Sequence, residues 1–388
     1  MKIVCAASVA FAREAFSSLG DLHILPDRAI RREDLLDAEV LIVRSKTRVT
    51  PELLEGTAVH FVATATAGAD HLDVDYLTRS GIAWCVSPGC NANSVAEYVM
   101  SALCLLARQT ATPLPGRTLG LIGVGQVGSR VQEKAQALGL RVLLNDPPKA
   151  LHEAAEKDYL DLEEFLPQVE MLSLHTPLTQ APPFPTRHLA NWRLLGQLKP
   201  GTWFINTSRG AVADSEAILC GMQHHHLSAC VLDVWEGEPT LFPGLSERVD
   251  ALTPHIAGYS LEGLLNGTLQ CYRELCHYLE LEPTWTPDAR MLPVPELFSC
   301  NAAGHSDEEI LCAILTHACP IPTDSKAWRA EMKAAADERD LRMRFDRFRR
   351  NYPIRREFAA HRIQLSNASG ALLDAITALG FQICADPP

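Results

Sequence analysis

The sequence predicts an α/β fold built on parallel sheets, the second of them doubly wound about a glycine-rich turn. Three observations carry this expectation. The first ninety residues alternate apolar strand runs with helical segments, a second alternating run begins near Thr118, and Gly123-Val-Gly125-Gln-Val-Gly128 lies where that run's first strand passes into a helix. Parallel strands are covered on both faces by their crossover helices, so they read as short continuous apolar runs.

The first set of strands is expected at Lys2–Ala6, Leu22–Leu25, Val40–Val43, Val59–Ala63 and Ile82–Val86. Lys2 followed by the apolar run Ile3 to Phe11 has the outline of a short signal peptide, but Arg13 and Glu14 end it and Ile3-Val4-Cys5 reads as a buried strand. A long helix is expected from about Ser94 to Arg108, where Ser94-Val-Ala-Glu97 has the spacing of a capping box. Pro113, Pro115 and Gly116 then break the chain. The second set is expected at Leu119–Ile122, Arg141–Asn145, Met171–Leu174, Trp203–Ile205, Ala229–Leu232 and Ala251–Leu252. Pro177–Pro185 reads as an exposed loop and the proline-rich stretch Pro283–Pro295 as a boundary. The last ninety residues are charged and helix-like.

Composition narrows the function. A chain of 388 residues suggests two or three domains. A formal charge of −12 argues against nucleic acid as a partner, so an anionic ligand has to be met by a local group of Arg or Lys. No apolar stretch approaches the roughly 20 residues of a membrane span, and a cytoplasmic location is expected. The twelve cysteines include no CxxC pair and read as reduced, mostly buried thiols.

The glycine turn has a division of labour. Gly123 makes the turn, Gly125 lets a pyrophosphate approach the backbone, and Gly128 permits close packing of helix on strand. The helix N-terminus offers free amides and a positive dipole end. Asp146, at the end of the next strand, is placed to accept hydrogen bonds from ribose hydroxyls, and its charge favours NAD over NADP.

Arg209, Glu238 and His255 each follow one of the last three strands, in Asn206-Thr-Ser-Arg-Gly210, Asp233-Val-Trp-Glu-Gly-Glu-Pro239 and Thr253-Pro-His-Ile-Ala-Gly258. Open α/β sheets bind ligands at the carboxyl ends of their strands. Oxidising a secondary alcohol needs a base near neutral pKa, a carboxylate that fixes its tautomer, and a fork for the substrate carboxylate. Singly, a loop Arg or Glu is usually only solvated; three at consecutive strand ends suggest a catalytic set. Other features have plainer readings. His224-His225-His226 reads as a solvated loop rather than a metal site, Cys90 as a packed small residue, and the Arg-rich run 339–356, interleaved with Asp340, Phe345, Asp346 and Phe348, as an amphipathic interface helix.

Gly123–Gly128, Asn206–Gly210 and Asp233–Pro239 with His255 resemble the D-isomer-specific 2-hydroxyacid dehydrogenases. The resemblance implies a flavodoxin-like substrate domain (1–95 and 256–285), a Rossmann NAD domain (96–255) and, from the distal Arg350-Asn-Tyr-Pro-Ile-Arg-Arg-Glu357, a C-terminal α+β dimerisation domain (286–388) that most relatives lack. It makes His255 the acid–base, Glu238 its partner and Arg209 the carboxylate binder. Asp233 is implied at the nicotinamide carboxamide, with Gln126, Val127, Asp146, Thr176 and Gly258 along the dinucleotide. Val43-Arg-Ser45, Thr64-Ala-Thr-Ala-Gly68, Pro88-Gly-Cys-Asn-Ala92, Asp146-Pro-Pro148 and His255-Ile-Ala-Gly-Tyr259 are similar to a branch that oxidises a phosphorylated polyhydroxy acid as a homodimer; there Ser45, Thr66 and Tyr259 contact substrate. Arg44 and the Arg355-Arg356 pair are candidates for the phosphate, or equally fold-stabilising arginines. Thr207-Ser208 and Ala213 depart from the expected Ala-Cys and Val. Two alternatives stay open: a dehydrogenase of phosphoglycerate or glycerate, and a non-catalytic NAD-sensing binding protein.

Overall fold

The apolar runs become parallel strands in two units. The computed structural model describes residues 1–153, 158–288, 292–353 and 355–384. They divide into Met1–Asn91 with Tyr259–Pro293, and Ala92–Gly258 with Val294–Pro388. Part of the expected proline-rich boundary (289–291) and Ile354 of the distal motif lie outside the described residues.

In the first unit β1 (Lys2–Ala6), β2 (Asp21–Leu25), β3 (Val40–Val43), β4 (Phe61–Thr64) and β5 (Ala83–Cys85) form a parallel sheet in the order β2-β1-β3-β4-β5, the flavodoxin-like winding. The inner strands β3 and β4 are buried at every position, whereas edge strands β2 and β5 are not. That explains why β5 keeps three residues where five were expected: with one neighbour and Trp84 at the surface, little holds its ends. The helix Leu261–Tyr278 returns to this sheet, capped by Ser260 Oγ accepting the Gly263 amide at 2.8 Å, and buries Cys271, Tyr272, Leu275 and Cys276 in the core.

In the second unit β6 (Thr118–Ile122), β7 (Arg141–Asn145), β8 (Met171–Leu174), β9 (Thr202–Asn206), β10 (Leu227–Leu232) and β11 (Ala251–Leu252) run parallel in the order β11-β10-β9-β8-β6-β7. Beyond β7, among the described residues, the sheet continues as an isolated Leu144–Tyr159 bridge. The winding reverses between β6 and β8, directly beside the glycine turn. The α+β arrangement expected for the C-terminal region takes the form of a small sheet, β12 (Phe298–Asn301), β13 (Arg362–Ser366) and β14 (Gln382–Ile383), all parallel, with helices Asp307–Ala318, Ile321–Lys333, Glu338–Arg350 and Gly370–Ala378. Among the described residues no helix is long and apolar enough to cross a membrane.

The helix Ala92–Thr110 joins these two parts of the second unit. Every residue from Ser94 to Ala107 is buried, because its core cluster takes in both the β6–β11 sheet and the C-terminal helices, including Ile310, Ile314, Leu315 and Phe358. A helix packed on all sides loses the usual polar stripe. The capping box expected at Ser94 and Glu97 is not formed, since the helix begins two residues earlier. Ser94 Oγ instead donates to Glu357 Oε1 (2.7 Å), and Glu97 Oε1 accepts the Phe358 amide (3.0 Å). Asn93 Nδ2 bridges both carboxylates, at 2.9 Å to Glu97 and 2.6 Å to Glu357. The two glutamates thus tie the tail to the helix start. The Arg-rich run forms the helix Glu338–Arg350, and its apolar face meets this chain's own tryptophans: the Phe345 ring lies edge-on to Trp235 at 6.1 Å and to Trp328 at 5.6 Å.

Burial, reinforced by the neighbouring Glu357 charge, pushes the Glu97 carboxyl well above its ordinary value of 4.5. The folded state therefore holds a proton that the unfolded chain releases, and stability falls as pH rises from about 4.5 toward the raised folded value. Glu97→Gln removes that proton from the balance. Urea midpoints measured between mildly acidic and neutral pH should decline for the wild type and be distinctly flatter for Glu97→Gln; parallel profiles would show that Glu97 is ionised in the fold.

Candidate active site

The strand register of the second unit sets the site. Asn145, Ile122, Leu174, Asn206, Leu232 and Leu252 are paired in one line across all six strands, from β7 to β11. Because every strand is parallel, the residues just beyond that line emerge along one edge. Gly123, Asp146 and Asp233 follow it by one residue, Thr176 by two, Arg209 and His255 by three and Glu238 by six.

The glycines behave as their spacing predicts. Gly123 sits at φ +88°, and a side-chain carbon there would come within 2.8 Å of the His175 carbonyl. One on Gly128 would overlap the Gly123 carbonyl oxygen, whereas one on Gly125 would meet nothing within 4 Å. The open face at Gly125 adjoins the N-terminus of the helix Gln126–Ala137, which has no side-chain cap. A cradle that a Cβ would fill, backed by free helix amides, fits a pyrophosphate. Asp146 accepts the Val124 amide on Oδ2 (2.7 Å) and the Lys149 amide on Oδ1 (3.1 Å), so it braces the turn while each oxygen keeps a lone pair for a ribose hydroxyl. The Thr176 and Thr207 hydroxyls are buried without a hydrogen-bond partner among the described residues. Beside Thr176, burial pushes the His175 imidazole down to about 3, which keeps it neutral, and it shares a 3.0 Å hydrogen bond with Ser173 Oγ.

The loops after β9, β10 and β11 converge. Asn206, which sequence reading passed over, shapes the first: its Oδ1 accepts the Ser208 amide (3.0 Å) and hydroxyl (2.8 Å), and its Nδ2 donates to the Arg209 carbonyl (3.1 Å). The next residue, Gly210, lies flat on the Trp235–Glu236 backbone with no room for a side chain. That contact brings Arg209 beside the loop carrying Glu238. Glu236 is braced separately by His188 at 2.7 Å.

His255 Nδ1 is 3.0 Å from Glu238 Oε2, and Glu238 Oε1 accepts the Trp235 amide at 3.2 Å. Burial acts to raise the Glu238 carboxyl, but the His255 charge and hydrogen bond, with Arg349 and the Trp235 amide, hold it below its ordinary value. An ionised carboxylate only accepts, so His255 Nδ1 donates, and in the neutral ring Nε2 keeps its lone pair. His255 itself is at φ +55°, a costly backbone for a side-chain-bearing residue unless its surroundings enforce it. Asp233 enforces it. This residue is 1% exposed; its carbonyl accepts the His255 amide (2.8 Å), Oδ1 accepts the Ile256 amide (2.8 Å) and the Thr253 hydroxyl (2.7 Å), and Oδ2 accepts the Ala257 amide (2.9 Å). Since Thr253 donates to Asp233, the Tyr98 hydroxyl must donate to Thr253 at 2.6 Å. Sequence reading had linked Asp233 only to the nicotinamide.

In the first unit, Ser45 and Thr66 follow the level pair Ile42 and Ala63 by three residues on neighbouring strands. Thr66 Oγ1 donates to the Gly68 carbonyl at 2.9 Å. The Arg44 guanidinium lies 5.5 Å from the Tyr259 ring centroid, and its Nε is buried without a hydrogen-bond partner among the described residues. Arg355 departs from the phosphate role considered for it: it is 6% exposed, and it donates to the Ser94 and Ala257 carbonyls. His224 and His225 are exposed, and His226 pairs with the Leu195 carbonyl. Cys90 is buried, which pushes its thiol up to about 11.

The family described as D-isomer specific 2-hydroxyacid dehydrogenase, NAD binding domain, matches residues 100–257, and a domain of unknown function matches 291–380. The chain is 43% identical to the erythronate-4-phosphate dehydrogenase of Azotobacter vinelandii, over 98% of this chain and 100% of the relative. Its fold is similar to the NAD⁺-bound 3-phosphoglycerate dehydrogenase of Entamoeba histolytica (TM-score 0.63, 26% identity, 72% of this chain and 95% of that one). It is also similar to the D-lactate dehydrogenase of Aquifex aeolicus complexed with NAD and lactic acid (TM-score 0.61, 27% identity, 72% and 95%).

Gly210→Ala tests the convergence of the loops. Its methyl group has to part the β9 and β10 loops, at an overpacking cost of about 1–3 kcal/mol. We expect a lower melting temperature and a fall in kcat; a fully active, equally stable variant would mean the loops are not in contact.

Proposed function

We infer the function from one premise: the chain belongs to the erythronate-4-phosphate dehydrogenases, within the D-isomer specific 2-hydroxyacid dehydrogenases. The reading is that it oxidises 4-phospho-D-erythronate at C2 to (R)-3-hydroxy-2-oxo-4-phosphobutanoate with NAD, on the route to pyridoxal 5′-phosphate. The observation that supports it most is the His255–Glu238 pair, 3.0 Å apart at the carboxyl edge of a sheet whose glycine turn has an open cradle.

His255 Nε2 takes the proton of the C2 hydroxyl, and Glu238 stabilises the imidazolium that forms. Such acid–base help is typically worth on the order of 10² to 10⁴ in rate. The Arg209 fork grips the substrate carboxylate and polarises the developing carbonyl oxygen. Bound NAD supplies the acceptor for the C2 hydride. Gly123, Gly125, Gln126, Val127 and Gly128 would hold its pyrophosphate, Asp146 its ribose, and Thr176, Asp233 and Gly258 the rest of the dinucleotide. In the first unit Ser45, Thr66 and Tyr259 are assigned to substrate, and Arg44, with its unsatisfied Nε, is the favoured phosphate contact. A cytoplasmic homodimer belongs to the same reading.

The test is NADH absorbance after addition of 4-phospho-D-erythronate, 3-phospho-D-glycerate and D-glycerate in turn. Turnover should be greatest with the first. Greater turnover with 3-phosphoglycerate or glycerate would reassign the substrate, and none with any acid would favour a binding protein. His255→Ala should lower kcat on the order of 10²- to 10⁴-fold with NAD affinity unchanged; normal turnover would remove His255 from its role.

A further inference from the structure

We propose that Arg355, supplied by the C-terminal region, is a positioning residue for the acid–base His255. The proposal rests on the reading of His255 above and adds a group from a part of the chain to which only dimerisation had been ascribed. Arg355 Nη2 donates to the Ala257 carbonyl at 2.6 Å and to the Ser94 carbonyl at 3.1 Å, and Nη1 donates to Cys319 Sγ at 2.9 Å. One guanidinium thus joins the strap after β11, the start of the Ala92–Thr110 helix and the junction between two C-terminal helices.

The strap is where this matters. Ala257 is 1% exposed and is held on both sides: Asp233 takes its amide, and Arg355 takes its carbonyl. His255 stands two residues upstream in the left-handed region, a conformation that persists only where the surroundings over-determine it. Without Arg355 the buried Ala257 carbonyl loses its donor, and a buried carbonyl without one favours rearrangement of the strap. His255 then drifts from Glu238. A misplacement of about 1 Å by a change remote from the chemistry can cost on the order of 100-fold in rate. The planar fork is suited to this task because it serves two carbonyls and a sulfur at once, which an ammonium at the end of a lysine does not reproduce. The buried carboxyl of Asp324 faces its charge, which offsets part of the cost of burying the cation.

The experiment compares wild type, Arg355→Lys, Arg355→Met and the surface control Arg342→Ala, whose residue pairs with exposed Glu338. Wild-type turnover is measured first; if it is absent, the enzyme reading fails and the two readouts without turnover still judge Arg355. The expected result for Arg355→Lys is a kcat lowered on the order of 10- to 100-fold, little change in KM for NAD, and a displaced acidic limb in the pH profile of kcat. Faster hydrogen exchange at Ile256 and Ala257 than in wild type, and a shifted His255 imidazole titration by NMR, should accompany it. Guanidinium ion at non-denaturing concentration should partly restore Arg355→Met. A merely structural arginine lowers thermal stability and leaves kcat per folded molecule, the pH profile, the His255 titration and strap exchange as in wild type; that outcome overturns the proposal. If Arg355→Met does not fold, Arg355→Lys decides by the same readouts. If neither folds, strap exchange in wild type decides: Ile256 and Ala257 exchanging as fast as open loops would mean that Arg355 holds nothing in place.

Discussion

The buried carboxylate of Asp233 is the interaction on which the geometry of the candidate site depends. A charge in the interior is stable only when its lone pairs are filled, and Asp233 fills them with two amides and a hydroxyl of the strap that carries His255. Burial nonetheless raises its pKa above the ordinary value. Strap and carboxylate need one another: the carboxylate is satisfied only if Thr253–Ala257 bends as it does, and the bend, with His255 at φ +55°, survives only because the carboxylate holds it. The imidazole is aimed at Glu238 as a consequence.

Around that centre, the parallel sheet acts as a ruler. Six strands ending on one line place the glycine turn, Asp146, the Arg209 guanidinium and the His255–Glu238 pair along one edge, though these residues span more than a hundred positions in the chain. The loops then make local adjustments through groups that touch no ligand, such as Asn206 shaping the Arg209 turn and Gly210 letting two loops meet. The C-terminal region enters the same economy of contacts. It covers the outer side of the Ala92–Thr110 helix, ties that helix through Glu357, and reaches the strap through Arg355.

Legibility in the sequence followed the range of the interactions. Strands β1, β3, β8 and β11 match their expected ends, because a strand buried on both faces writes its full length as an apolar run; β7 matches as well, with only its last two residues buried. The glycine turn was equally plain, since Gly128 answers to a neighbour within a few residues and Gly123 to one adjoining strand. Ser94 and Glu97 were misread as a mutual cap because their true partners, Glu357 and Phe358, lie more than 260 positions away. Arg355 was weighed as a phosphate ligand or a stabilising arginine, and nothing local distinguishes these. Asp233 was found, but its hold on the strap was not, since no spacing rule foretells which buried carboxylate faces which amides. Edge strand β5 was overestimated for the opposite reason: its apolar residues are only half covered.

The most direct test of the central claim is the tautomer of His255 in the wild-type protein, read from its imidazole nitrogen shifts by NMR with histidine-selective ¹⁵N labelling. The account predicts a neutral ring with the proton on Nδ1, bonded to Glu238, and Nε2 bare. A neutral ring protonated on Nε2, or an Nδ1 shift indifferent to Glu238→Gln, would contradict it.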